Sequence, residues 1–148
     1  MSDQKFVILL AEDELADAYL VKTALKENNI LAELQHVVDG REALEYLQRK
    51  PPHYAQAVRP NLILLDLNMP RMDGREFLEA IKLEPTLRDI PVVVLTTSEV
   101  ERDVVSSYGL GAAGYITKPI DVVDFMAAIR DLSEYWIDLV HLPDTENK

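Results

Sequence analysis

At 148 residues, 48% apolar and 28% charged, the chain is long enough for one domain with a sizeable core and has a soluble, globular composition. Its 15 Lys and Arg against 26 Asp and Glu leave a net charge of −11, which offers no basic footprint for nucleic-acid phosphates. Without cysteine there is no disulfide framework, zinc–thiolate site or thiol nucleophile, and no run approaches the roughly 20 apolar residues of a membrane helix, so the expected location is the cytoplasm.

The first element is Phe6 to Leu10, FVILL, a strand candidate with buried faces. This run is too short for a secretory signal and ends in the acids Glu12 and Asp13. Residues 14–28 read as a helix, with Leu15, Ala18, Val21 and Leu25 inward at steps of three and four. A weaker strand covers 32–38. Asp39 can cap a helix over 40–50, with Ala43, Leu44 and Leu47 inward. The segment 51–61, PPHYAQAVRPN, is a long proline-bearing loop. LILLD is the third strand, and 74–84 is a helix with Phe77, Leu78 and Ile81 on one stripe. The β-branched run IPVVVLT, 90–96, is the fourth strand. Residues 99–108 form a helix carrying Val100, Val104 and Val105, and GYIT, 114–117, is a short fifth strand. The last helix, from about 121 to 140, aligns Val122, Met126, Ile129, Leu132 and Trp136, before a polar tail at about 141–148.

Five β–α pairs with wholly apolar strands predict an α/β fold: a parallel sheet covered on both faces and joined by right-handed crossovers. The expected form is one flavodoxin-like (βα)5 domain over 1–148, doubly wound, with strand order 2-1-3-4-5. Such sheets bind ligands at the carboxyl ends of their strands.

The stretch LILLDLNMPRMDG puts a carboxylate, Asp66, at the end of a buried strand. In the predicted order, strands one, three, four and five are neighbours. They bring Glu12 and Asp13, Asp66, Thr96-Thr97-Ser98 and Thr117-Lys118-Pro119 to one rim. Three carboxylates roughly 5 Å apart would repel by about 3 kcal/mol per pair at an effective dielectric of about 20. Either one acid stays protonated or a divalent cation sits among them. Mg²⁺ suits such a hard, all-oxygen site. Asp66 is then a nucleophile for phosphorus, with Lys118 on one phosphoryl oxygen and the Thr96 hydroxyl on another. Each piece alone has an ordinary reading: a turn or cap for Asp66, helix-start acids for Glu12 and Asp13, a capping signal in Thr-Thr-Ser, a loop in Lys-Pro. Their joint arrangement carries the chemistry.

These residues resemble the receiver domain of two-component response regulators, the CheY-like family, over roughly residues 5 to 135. The pattern is Glu12-Asp13 after strand one, Asp66 in LLDLNMPRMDG, Thr96 after strand four and Lys118-Pro119 after strand five. The resemblance implies that Asp66 accepts phosphate from a phosphohistidine on a sensor histidine kinase. It implies Mg²⁺, with Mn²⁺ as a substitute, on Asp13, Asp66 and the Asn68 carbonyl, with Glu12 near the metal mainly through water. It places Thr96 and Lys118 on the phosphoryl group, makes Thr96 and Tyr115 switch residues, and makes the Lys118–Pro119 peptide cis. Catalysis is then limited to self-phosphorylation and autodephosphorylation. Thr97 stands where the family usually has a smaller residue and is expected to crowd the site. Asn68 and Ser98 occupy the two positions that tune dephosphorylation, and Pro70 and Gly74 read as turn chemistry.

The 51–61 loop, VVDGREALEYLQ, RPNLILLDLNMPRMDGREFL and IPVVVLTTS are similar to the small single-domain regulators that partner bacterial phytochromes. The same phrases occur in regulators of other kinases. Output then passes through protein contacts, to a downstream target or a phosphotransfer protein, from the face of the fourth helix, fifth strand and fifth helix. SEYWIDLVHLP, 133–143, extends the last helix with Tyr135, Trp136, Leu139 and Val140, for its own core or, preferably, a homodimer. Two other classes fit less well. A haloacid-type phosphatase wants an Asp where Asn68 stands, and a degenerate binding module would lack Asp66 or Lys118.

Overall fold

The computed structural model describes residues 6–28, 32–107, 109 and 111–132. Their elements are β1 (Phe6–Ala11), α1 (Leu15–Glu27), β2 (Ala32–Val37), α2 (Gly40–Leu47), β3 (Leu62–Asp66), α3 (Gly74–Lys82), β4 (Val92–Thr96), α4 (Glu99–Ser107), β5 (Gly114–Thr117) and α5 (Val122–Leu132). The five strands form one sheet in the order β2-β1-β3-β4-β5, and every pairing is parallel. The expected flavodoxin-like topology is therefore present.

Strand side chains alternate between two cores. Leu9, Ala11, Ile63, Leu65, Val92 and Val94 face the side covered by α2 and α3. Ile8, Leu10, Leu62, Leu64, Val93 and Leu95 face α1 and α5, where Val21, Ala24 and Phe125 are buried. Each fully buried Leu, Ile or Phe contributes about 1.5–3 kcal/mol relative to exposure. Burial on both faces explains why β1, β3 and β4 read as continuous apolar runs. The registers Ala11 with Leu65, Asp66 with Leu95 and Thr96 with Thr117 bring the ends of β1, β3, β4 and β5 level.

Several helix faces differ from the periodic reading. Leu15 is 72% exposed, because it is the first residue of α1 and lies at the rim rather than over the sheet. α2 stops at Leu47, and its deepest contacts are Ala43 and Tyr46, with Leu44 and Leu47 only half-buried. Tyr46 can be buried because its hydroxyl donates to the Val58 carbonyl at 2.8 Å, tying down the 51–61 loop. Val100 is 70% exposed on α4, whereas Val105 is buried. On α5 Val122 is 38% exposed and Phe125 is the buried anchor beside Met126. The side chains of Val104, Ile129 and Leu132, together with Trp136 and the segment 133–143, lie outside the described residues.

Local chemistry sets the helix starts. Asp39 accepts from the Glu42 amide at 2.7 Å and caps α2. Asp73 and Glu76 form a reciprocal capping box on α3, at 2.9 and 3.0 Å. Gly74 is the first residue of α3, and a Cβ there would meet the Asp66 carbonyl oxygen at 2.6 Å. Gly74 is thus a close approach of helix to strand end, not the turn residue the sequence suggested. The positive φ in this loop belongs to Arg71, at 63°.

Candidate functional site

The level strand ends make one acidic recess. Glu12 and Asp66 are buried at the ends of β1 and β3, while Asp13 is exposed at its mouth. Each of the three offers a carboxylate oxygen, all within 4.8 Å of one another. The backbone of Glu12 is held on both sides: its amide donates to Val37 at 3.0 Å, and His36 Nε2 lies 2.7 Å from its carbonyl. β2 therefore fixes a residue it does not carry.

Lys118 reaches this recess from the end of β5. Its Nζ donates to Glu12 Oε2 at 3.1 Å and lies 2.9 Å from Oε1, 3.1 Å from Asp17 Oδ2 and 3.4 Å from Asp66 Oδ1. Burial pulls the lysine toward neutrality, but hydrogen bonds to Glu12 and Asp17 and the charge of Asp66 outweigh it and hold Lys118 above its usual pKa. Burial pushes both Glu12 and Asp66 up, against the pull of Lys118 and nearby amides. The acids are thus eased by a lysine among them and by protons held more tightly, and sequence reasoning weighed only the second of these. The peptide Lys118–Pro119 is cis.

The donors on the other side are already engaged. Thr96 is buried; its Oγ1 donates to the Ser98 carbonyl at 2.7 Å and accepts from the Ser98 amide at 3.0 Å. The Asn68 amide N–H donates to Asp66 Oδ1 at 3.3 Å. The Asn68 side chain donates to Glu101 at 2.8 Å, and the Thr97 amide donates to Glu101 at 2.9 Å. Thr97 itself is exposed. Tyr115 is half-buried against α4, with the Arg102 guanidinium 4.7 Å from its ring centre and its hydroxyl 3.3 Å from Ser106 Oγ.

Glu12, Asp13, Asp66 and Lys118 therefore converge, Thr96 stands at the same rim with its hydroxyl turned into its own loop, and Tyr115 lies apart from them against α4. Asp17 and Glu101 were not foreseen. Asp17 lies in the first turn of α1, directly after the Glu12-Asp13 strand end, which keeps it near the recess. Glu101 lies three after Ser98, in the spacing of a capping box.

The donor set suits a divalent cation. It is hard and anionic: the carboxylate oxygens of Glu12, Asp13 and Asp66 lie within 4.8 Å of one another, and the one cation beside Glu12 and Asp66 among the described residues is the Lys118 ammonium. Among the described residues no helix is long and apolar enough to cross a membrane.

Residues 8–130 match the model of the response regulator receiver domain. The chain belongs to this family. Members are signalling proteins, and a receiver implies a sensor kinase as partner. Response regulator Rcp1 of Synechocystis sp. is 47% identical over 137 residues, covering 93% of this chain and 92% of that protein. The Mn²⁺-bound form of Rcp1 superposes with a TM-score of 0.75 at 46% identity, covering 93% of this chain and 99% of that one. The phosphorylated cyanobacterial phytochrome response regulator RcpA gives 0.76 at 43% identity, covering 95% and 100%. The bacteriophytochrome response regulator RtBRR gives 0.81 at 41%, covering 87% and 78%. This receiver is thus homologous to phytochrome response regulators along nearly its whole length, consistent with a phosphorylation-dependent relay.

Proposed function

We propose that this receiver is a single-domain, cytoplasmic response regulator that takes a phosphoryl group on Asp66 from a phosphohistidine of a sensor kinase of the phytochrome type. One Asp66 oxygen attacks phosphorus. The P–O bond forms as the P–N bond to histidine breaks, and the leaving imidazole keeps the electron pair and takes a proton from solvent. Lys118, already 3.4 Å from Asp66, follows a phosphoryl oxygen as charge moves outward. Mg²⁺, or Mn²⁺ in its place, would be held by Glu12, Asp13, Asp66 and the Asn68 carbonyl, and would supply neutralisation of the phosphoryl oxygens.

The observation that carries this reading is the Glu12, Asp13, Asp66 and Lys118 cluster at the strand ends. The phytochrome-type kinase rests on the likeness to RcpA and RtBRR. Acquiring nearly two negative charges, the site draws Thr96 and Lys118 inward, and Tyr115 turns with the β4–α4 loop as a switch. The α4–β5–α5 face then meets a downstream target or a phosphotransfer protein, and 133–143 supports a homodimer testable by sedimentation.

The decisive experiment is incubation with acetyl phosphate and Mg²⁺, followed by intact mass. One retained, base-labile phosphate that is absent in Asp66→Asn is expected. Turnover without retention would mean a phosphatase, and no change a phosphorylation-independent binding module. A panel of kinases scored for transfer speed identifies the donor.

A further inference from the structure

Glu101 sits in the first turn of α4 yet makes two bonds that α4 does not need. A capping glutamate at this position accepts from the amide of the cap residue, Ser98. Here the cap is supplied by Ser98 Oγ, which accepts from the Glu101 amide at 3.2 Å. The Glu101 carboxylate goes elsewhere. One oxygen accepts from the Thr97 amide at 2.9 Å, and the other crosses to the Asn68 side chain, 33 residues away, at 2.8 Å.

Both partners border the acceptor. Asn68 touches Asp66 through its own backbone amide, and Thr97 follows Thr96. A carboxylate is thus bound by N–H donors at the mouth of Asp66, as a phosphoryl group placed there would be. We propose that Glu101 is an internal anion that the phosphoryl group on Asp66 must displace, so that it sets how readily the site is loaded. The proposal rests on Asp66 being the acceptor.

A phosphoryl group brings nearly two negative charges and three acceptor oxygens. It repels Glu101 and seeks the same N–H donors. The Thr97 amide has one N–H and serves one anion at a time, so a phosphoryl group that takes it must release Glu101. Only the fraction of molecules with Glu101 released is ready, and the apparent affinity for any phosphoryl-like anion falls by that fraction. Because Glu101 belongs to α4, its release also frees the first turn of that helix from the β3–α3 loop. Loading of Asp66 is thereby tied to the position of α4. Glu101 acts through Asn68 and Thr97 and is a positioning residue.

The test titrates beryllofluoride, a phosphoryl mimic, into the full chain with Mg²⁺ and follows backbone amide spectra. Glu101→Gln and Glu101→Ala should half-saturate at a concentration about fivefold lower than the wild-type protein, because the competent fraction rises. A residue that merely supports the fold would not give tighter binding when removed. Glu99→Gln removes an equal, exposed charge from the same turn without touching the latch, and should stay within about twofold of wild type, since solvent and salt screen it. Unchanged or weaker binding in both Glu101 variants, with native spectra, overturns the proposal. So does an equal gain in Glu99→Gln, which would leave only general charge. A wild-type protein that neither binds the mimic nor takes label from acetyl phosphate would instead remove Asp66 as acceptor, and this proposal with it.

Discussion

On the proposed function Lys118 has two tasks that its position makes inseparable. Its ammonium lies within 3.4 Å of carboxylates from β1, α1 and β3, so before any phosphate arrives it is the counter-ion of the recess. Removing one partner of a buried charge cluster leaves the others uncompensated, at about 3–5 kcal/mol. Glu12 softens that loss because it can take up a proton. Lys118→Met should therefore lower the stability of the metal-free protein by about 1–3 kcal/mol. The gain in melting temperature on adding Mg²⁺ should be larger than in wild type, since the cation no longer shares the acids with an ammonium. Thermal melts with chelator and with Mg²⁺ check both signs; an unchanged metal-free melt would deny the lysine its counter-ion role. At this scale Asp66, Glu12, Asp13 and Lys118 were legible because charged residues directly after apolar strands have few places to go. Asp17 was not, because an acid in the first turn of a helix is ordinary and favourable by itself.

Two of the elements around the recess depend on contacts from outside themselves. α3 begins against β3 so closely that Gly74 has no room for a methyl group: a Cβ would lie 2.6 Å from the Asp66 carbonyl oxygen and 2.7 Å from the Leu67 Cα. Both are backbone atoms, so strand and helix must part. Gly74→Ala should destabilise by about 1–3 kcal/mol. It should also slow acetyl phosphate labelling, because the moved peptide carries Asp66; a variant with wild-type melting and labelling would show that the loop absorbs the change. α2 is joined to the same loop by Asp39, which accepts from Arg71 at 2.8 and 3.2 Å as well as capping the helix. The pairing accompanies a left-handed Arg71 at φ 63°. Burial pushes the Asp39 carboxyl up, but Arg71 and the Glu42 amide outweigh it and hold the pKa below the usual 3.8. A depressed carboxylate stabilises fully above its unfolded pKa and loses that contribution as pH falls through the folded value. Asp39→Ala should cost about 1 kcal/mol near neutral pH. Urea melts should show the gap to wild type closing from about pH 4 downward; a gap that stayed constant would mean that the charge of Asp39 does nothing. Strands were legible because two-sided burial leaves nothing but apolar residues. Helix faces were less so: periodicity placed Leu15 inward and passed over Tyr46, since spacing reveals neither where the sheet ends nor a hydroxyl's partner across a loop.

At the scale of the whole molecule, the described residues present an acidic mouth beside apolar shoulders. β1 and β5 end at the same rim, so the helices that follow them, α1 and α5, both start there, and they pack on one another. Leu15 is 72% exposed, Tyr19 68% and Val123 74%, although helix starts at a rim are ordinarily polar. Apolar side chains exposed at neighbouring helix starts offer a surface to a partner. On the proposed transfer a phosphohistidine comes within bonding distance of Asp66, so its carrier covers this rim. Small donors need only the recess. The two routes of phosphorylation should therefore separate. Leu15→Ala with Tyr19→Ala removes contacts that the isolated fold does not use, so stability should stay within about 0.5 kcal/mol for each change. Labelling by acetyl phosphate should stay within about twofold, while transfer from the partner kinase should fall about tenfold or more if these residues anchor the docking helix. Parallel rate measurements with both donors check this. Equal losses on both routes would place the damage in the recess itself, and no loss on either would mean that the kinase approaches from elsewhere on the rim.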